Sequence, residues 1–493
     1  MPLSGRRAHA YNKEQGGANK INDIFRRILK GENDMRLIDY KDKVVHFIAI
    51  GGCSMSGLAI LLKQMGFKYI QGSDSADGKA LIPLREMGMK IFVGHDAKQV
   101  ENASLVVYSA AIGENNAELS RARELGLPAL RRDELLGLIS ELSRDCIGVA
   151  GTHGKTTTTG MIAQIFEEAG RDPVIHMGGT LPLIGGSVKL GRGNEFITEA
   201  CEYVDSFLKL HPSCAIVLNI DADHLDYFKN MENIIKSFEQ YMRQTSPDGI
   251  VIGCGDDANT LKLLKNCGRR FATYGISLDN IYHAENITFT SQGYPEYDFY
   301  KGDSKLCRVR LNIVGRVNVL NSQAALICAM EYGIDLDTAL KALEDFRGAG
   351  RRFELRGVYN GAKIYHDYGH HPAEVAATIT ASAPIEKKRL WVVYQPALFS
   401  RTRAQFNRLA QCFKGADKVI IIDIYGSREP FDPGINSKML VDEVIKQTGQ
   451  DCIYIPTMQE AAEYLKQNLQ PGDLCLTMGS GTIDKLDGFI FDR

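Results

Sequence analysis

Hydrophobic positions in this chain fall in short unbroken runs, most of them closed by a glycine or acidic turn and followed by residues at helical spacing. The first run, residues 44–50 (Val-Val-His-Phe-Ile-Ala-Ile), stops at Gly51-Gly52 and predicts a buried strand, with a helix from about residue 56. Further strands are predicted at 69–72, 90–93 and 105–109, alternating with helical segments such as 117–125. That alternation implies a parallel sheet. A second block opens with the apolar run 146–150, continues with helical spacing over 161–166 and holds strands at 195–199 and 214–219. A third follows the turn at 348–352, with strands at 389–394, 418–423 and 473–478. The expected domains are therefore 43–145, 146–346 and 347–493. Residues 1–42 form a polar, glycine-containing extension with a short amphipathic piece at 21–29, either a flexible arm or a partner helix.

A length of 493 residues agrees with about three domains. The net charge of −2 removes any bulk electrostatic case for nucleic acid or an acidic membrane surface. Eleven cysteines without a C-x-x-C pair read as reduced thiols, not as a disulfide framework or a zinc site. No stretch has the length of a membrane span and the N-terminus lacks a signal-peptide core, so a cytoplasmic protein is expected. Oligomeric state is left open between monomer and homodimer.

The chemistry concentrates at Gly151-Thr152-His153-Gly154-Lys155-Thr156-Thr157-Thr158-Thr159, between a predicted strand and a predicted helix. Loop and helix N–H groups in that order cradle phosphate, with Lys155 in reach of the terminal phosphates and the Thr156 hydroxyl suited to Mg²⁺. Two residues separate the glycines instead of the usual four, so the motif depends on its context. A carboxylate at a neighbouring strand end, Glu199, is placed to hold Mg²⁺. His224, in Asn219-Ile-Asp-Ala-Asp-His-Leu-Asp226, is either a second metal ligand or a hydrogen-bonded loop histidine, and Asp221, Asp223 and Asp226 otherwise read as a solvated turn. Asn318 and Asn321 are one helical turn apart and suit a nucleotide or a helix cap.

In the first block, Gly51-Gly52-Cys-Ser54 and then Gly72-Ser-Asp74 resemble the turns by which a sheet binds a dinucleotide or nucleotide sugar. Asp74 is equally explained as a ribose acceptor or a helix N-cap. In the third block, Arg351-Arg352, the Tyr365-His-Asp367-Tyr368-Gly-His370-His371-Pro turn and Gln395-Pro-Ala-Leu-Phe-Ser-Arg401 place polar groups at strand ends.

Taken in order, Gly151–Thr159, Glu199-Ala-Cys-Glu-Tyr, Asn219-Ile-Asp-Ala-Asp-His224, Arg352-Phe-Glu and Asp367-Tyr-Gly-His-His-Pro372 resemble the Mur ligase family over roughly residues 44–490. The similarity is greatest to the branch that adds L-alanine to UDP-N-acetylmuramate. It implies an α/β fold of three domains: a Rossmann-like domain for the UDP-sugar, a central P-loop ATPase-like domain, and a Rossmann-like C-terminal domain closing over both. By matching position, Gly151, Thr152, His153, Gly154, Lys155, Thr156, Thr157, Asn321, Arg352 and Asp367 would bind ATP. Thr156, Glu199 and His224 would hold Mg²⁺, with two ions expected. Lys155, Glu199, His224 and Arg352 form the implied catalytic set. Gly51, Gly52, Ser54 and Asp74 would receive the UDP-sugar, and Tyr368, His370 and Arg401 the amino acid.

The implied reaction is ATP-dependent amide formation through an acyl phosphate, in peptidoglycan precursor synthesis. Departures cluster away from the phosphate set. Ala397-Leu398 stand where the family has His followed by Arg or Thr, Val317 replaces a His, and Thr482 replaces an Asp in the last glycine turn. These leave open a different amino-acid or peptide nucleophile, or a UDP-sugar- and ATP-binding paralogue with a regulatory role.

Overall fold

The computed structural model describes residues 36–427 and 429–493, so the amphipathic piece at 21–29 lies outside the described residues. Three sheets organise the chain. The first is five-stranded and all parallel, in the order Lys90–Val93, Tyr69–Asp74, Val44–Ile48, Leu105–Tyr108, Ala129–Arg131. Chain order reverses beside the central strand Val44–Ile48, which puts its exit loop, Ala49–Gly52, at the switch point where such sheets bind ligands. The following helix starts at Cys53, three residues earlier than the apolar spacing predicts, because Gly52 takes the N-cap position. Leu37, in the short 3-10 helix Leu37–Tyr40, is buried in the same core.

The second sheet has ten strands, and here the expectation of simple alternation is incomplete. Seven parallel strands run Tyr282–Phe289, Phe271–Gly275, Ile250–Cys254, Cys214–Val217, Asp145–Ala150, Glu195–Glu199, Val174–Leu181. Antiparallel strands extend both ends: Pro295–Lys301 and Ser304–Arg310 on one side, Gly186–Lys189 on the other. Strands at the middle are covered on both faces, so Cys214–Val217 and Ile250–Cys254 are buried throughout and read as apolar runs. The added strands carry charge on an open face, as at Glu296 and Lys301, and no apolar run marks them. The third sheet runs Glu354–Tyr359, Ala362–Asp367, Leu474–Met478, Leu390–Tyr394, Lys418–Ile421, Cys452–Tyr454, antiparallel only at the first pair.

Parallel register aligns the functional loops. Ala150, which leads into Gly151, pairs with Val217, and Val149 pairs with Glu199. Three strands therefore deliver their C-terminal ends to one edge. The 14-residue helix Lys155–Glu168 packs its apolar face, Met161, Ile162, Ile165 and Phe166, into the core behind that edge.

The first unit is tied together by a buried polar network. The Glu118 carboxylate accepts from His46 Nε2 (3.0 Å), Ser73 Oγ (2.6 Å) and His95 Nδ1 (2.6 Å), and Gln71 Nε2 donates to His46 Nδ1 (3.1 Å). Burial pushes against the Glu118 charge, yet hydrogen bonds from His46 and Ser73 hold its pKa below the usual range. Replacing Glu118 with Ala strands three buried or half-buried donors. We expect a stability loss on the order of 3–5 kcal/mol, read from the denaturant midpoint of the unfolding transition. A loss below about 1 kcal/mol, the scale of a surface pair, would show that the network is dispensable.

Candidate active site

Gly151 and Gly154 both lie in the left-handed region, at φ +137° and +93°. A Cβ on Gly151 would come within 3.0 Å of Leu218 Cβ, and one on Gly154 within 2.8 Å of Asn321 Oδ1. Two positive φ values three positions apart turn the chain from strand to helix with four loop residues, which is how the short glycine spacing is accommodated. Asn219 holds the turn: its Oδ1 accepts from His153 N–H (2.9 Å), its Nδ2 donates to His153 O (3.0 Å), and its carbonyl accepts from Thr152 N–H (3.1 Å). Asp221 N–H adds a bond to Thr152 Oγ1 at 2.9 Å. Asn321 is buried against Gly154 and donates through Nδ2 to Asn318 Oδ1 (2.9 Å), while Asn318 donates to Val314 O (2.8 Å). Neither asparagine is the N-cap of its helix, Val317–Glu331.

Lys155 is folded back over the loop. Its Nζ lies 2.9 Å and 3.1 Å from the two Glu202 oxygens, 3.2 Å from Thr152 O, and in contact with Gly151 O. Burial disfavours the ammonium, but Glu202 outweighs it and keeps the pKa above the usual value. Thr156 is buried, its methyl facing Gly179 closely enough that a Cβ there would clash. Next to it, Gly178 N–H donates to Glu199 Oε1 at 2.7 Å. His224 caps the helix Leu225–Phe228 at φ +51°, with Nε2 4.0 Å from Glu202 Oε1 and its ring 4.6 Å from that of Tyr203. Thr156, Glu199, Glu202 and His224 thus surround the Lys155 end of the loop; the Asp226 side chain lies outside what the structure describes.

The C-terminal unit faces this edge. Asp367, at the end of its strand, is committed to its own turn: Oδ2 accepts from Phe353 N–H (2.9 Å), Oδ1 from Gly369 N–H (2.8 Å) and Thr378 Oγ1 (3.2 Å). Burial raises its pKa. Arg351 bonds His366, Gly479 O and Gly481 O, whereas Arg352 stacks on Tyr368, 5.0 Å from the ring centroid, and makes no hydrogen bond through its side chain among the described residues. His370 is pushed down to about 4, first by burial and also by the Arg401 charge, although Glu374 opposes it. Arg401 also helps hold Asp223 below its usual value against burial. Tyr368, His370 and Arg401 therefore gather beside Asp223 of the central unit.

Contacts on both sides of the site join the units. Ser54 Oγ meets His176 Nε2 at 3.0 Å, His176 Nδ1 meets Thr198 Oγ1 at 3.1 Å, and Cys53 Sγ donates to Gly178 O at 3.1 Å. Gly51 N–H donates to Asp74 Oδ2 at 2.9 Å, so the carboxylate shapes the glycine loop and caps no helix. On the other side, His153 Nδ1 is 3.2 Å from Glu374 Oε1 of the C-terminal unit. Burial works against the His153 proton, but Asp221 and Glu374 raise its pKa to about 9. Asn219, Glu202 and Glu374 are the candidate site residues to which motif reading gives no role. A second Glu three residues after Glu199, and an Asn opening the His224 segment, were the available signals.

This geometry can be set beside known proteins. Residues 44–144 match the model of the Mur ligase family catalytic domain, 149–329 that of the Mur ligase middle domain, and 351–481 that of the Mur ligase glutamate ligase domain. The UDP-N-acetylmuramate–L-alanine ligase of Acetivibrio thermocellus is 42% identical over 455 residues, covering 92% of this chain and 97% of the relative. That of Caldanaerobacter subterraneus subsp. tengcongensis is 43% identical over 443 residues, covering 90% and 96%. The crystal structure of UDP-N-acetylmuramate–alanine ligase from Thermotoga maritima superposes with a TM-score of 0.79 at 25% identity, over 91% of this chain and 98% of that one. A murein peptide ligase from Psychrobacter arcticus shares the fold, at TM-score 0.69 and 24% identity over 91% and 98%. With its three-sheet architecture, its glycine loop and nearly its whole length matched, the chain belongs to the Mur ligase family.

Proposed function

We propose that this protein is the ATP-dependent ligase that joins L-alanine to the carboxyl group of UDP-N-acetylmuramate, in the cytoplasm, for peptidoglycan precursor synthesis. The observation that carries the reading is the convergence of Lys155, Thr156, Glu199 and His224 at one sheet edge, faced by Tyr368, His370 and Arg401. The identity of over 40% to ligases named for this reaction supports it. On this reading residues 43–145 bind the UDP-sugar, 146–346 bind ATP and 347–493 complete the site.

The donor set suits Mg²⁺. Glu199 has one oxygen fixed by Gly178 N–H while Oε2 takes no hydrogen bond among the described residues, and the side chain of Thr156 packs against the neighbouring Gly179. Thr156 and Glu199 would hold a first ion, and His224 would contribute to a second. When bound, the ions neutralise charge on the transferring phosphoryl group.

The chain's own groups do the rest. A carboxylate is a poor electrophile, so its oxygen attacks the γ-phosphorus of ATP, ADP leaves, and an acyl phosphate forms. Lys155 leaves Glu202 and the Gly151 and Thr152 carbonyls to meet the β- and γ-phosphates, where its charge stabilises the transition state. Arg352, whose guanidinium makes no hydrogen bond among the described residues, supplies a second cation. Asp367 serves by fixing the turn, since both its oxygens are already taken. Arg401 suits the carboxylate of the amino acid. The imidazole of His370, neutral at pH 7 because burial holds it near 4, is an acceptor for the amine. The amine attacks the acyl carbon and phosphate departs. Contact of the C-terminal unit with His153 excludes water that would hydrolyse the acyl phosphate.

Phosphate release from ATP should require UDP-N-acetylmuramate and L-alanine together. Tight binding of both nucleotides without release would contradict the proposal. Lys155→Ala should lower the rate about 10²–10³-fold with little change in UDP-sugar binding. A rate within about twofold of wild type would remove the glycine loop from the chemistry. Asn219→Ala, which frees the loop, should raise KM for ATP about tenfold and leave KM for L-alanine unchanged.

A further inference from the structure

Opposite the Lys155 side of the loop, a half-buried and a buried imidazole each carry an unpartnered, buried nitrogen. His153 Nε2 and His371 Nε2 are buried and make no hydrogen bond, although His371 is only 1% exposed. Their rings lie 5.1 Å apart, and Asp221 Oδ2 is 3.8 Å from His153 Nε2, beyond hydrogen-bond reach. One ligand atom from each of His153, Asp221 and His371 falls within 4.8 Å of the others. The supporting contacts are those of a built site. Glu374 Oε1 holds His153 Nδ1 at 3.2 Å, the carboxylate–histidine pattern that orients a ligating ring, and Asp221 Oδ1 is fixed by Ala222 N–H at 2.7 Å, which leaves Oδ2 for an ion.

We infer that His153, His371 and Asp221 form a binding site for one borderline divalent transition-metal ion, of the Zn²⁺ or Co²⁺ kind, that ties the nucleotide loop to the C-terminal unit. Two imidazoles and a carboxylate favour such ions over Mg²⁺, which prefers all-oxygen octahedra. Binding has identifiable costs. It displaces the proton from His153 Nε2, it gives up the 3.3 Å bond from Ala373 N–H to His371 Nδ1, and Arg408 Nη2, 3.6 Å from Asp221 Oδ2, must move aside. The site is separate from Thr156, Glu199 and His224 and does not depend on the reaction assigned above.

Co²⁺ alone, added to the nucleotide-free full chain, tests this through its visible d–d absorption. Wild type should show one site with imidazole-type bands, and Zn²⁺ should displace the Co²⁺ and raise the melting temperature. His371→Ala and Asp221→Asn should each remove the bands, Glu374→Gln should weaken binding about 10–100-fold, and Glu199→Gln should leave it unchanged. Circular dichroism shows which variants are folded, and Asp221→Asn carries the test if His371→Ala is not. Absence of bands in wild type, bands surviving in folded Asp221→Asn, or bands lost in Glu199→Gln would each overturn the inference.

Discussion

The site depends on the shape of four loop residues. Gly151 and Gly154 take left-handed backbone angles because Leu218, Asn219 and Asn321 close in where a Cβ would stand. The turn that results points the Lys155 helix N-terminus at the sheet edge, and the Asn219 side chain locks it through two hydrogen bonds to the His153 backbone. Every other group in the site is positioned relative to that turn. Glu199 ends one of the strands flanking the loop strand and Asn219 lies two residues past the other, so parallel register sets their distance from the loop.

Contacts around the loop connect the three units. On one side Cys53 reaches Gly178, whose N–H fixes Glu199, and Ser54 reaches His176 beside Thr198. The glycine turn of the first unit is thereby linked to a candidate metal ligand through one residue. On the other side the loop's own His153 is held by Glu374, whose carboxylate also accepts from the His370 and His371 backbone N–H groups (3.1 and 3.2 Å) and is kept ionised against burial by their surroundings. On the proposed reading, phosphate binding and docking of the C-terminal unit share one loop. That is the arrangement expected of an enzyme that must hold a water-sensitive intermediate.

Much of this was legible in the sequence, for a physical reason. Parallel strands covered on both faces must be continuously apolar, so 146–150, 214–217 and 390–394 announced themselves, and their ends marked the chemistry. The antiparallel strands between 282 and 310 did not, because half their side chains face solvent and include Glu296, Arg308 and Arg310. Motif matching located Lys155, Glu199 and Arg352 but not how they are held. Lys155 rests on Glu202, His153 on a carboxylate 221 positions away, and Asp367 on its own turn; such pairings exist only after folding. The departures at Ala397 and Leu398 gain a local setting: Leu398 has φ +68°, and its N–H bonds Tyr425 O at 2.9 Å. The loop there is shaped by backbone pairing with the Tyr425 segment.

The central claim is that the muramyl carboxylate is activated by direct attack on ATP at the edge formed by Lys155, Thr156 and Glu199. Its most direct test is one turnover with UDP-N-acetylmuramate labelled with heavy oxygen in the carboxyl group. An acyl phosphate passes one of those oxygens to phosphate, so the released phosphate should carry one labelled atom and the amide should keep the other. Phosphate free of label, with the heavy oxygen lost from the carboxyl group appearing in water, would contradict the account.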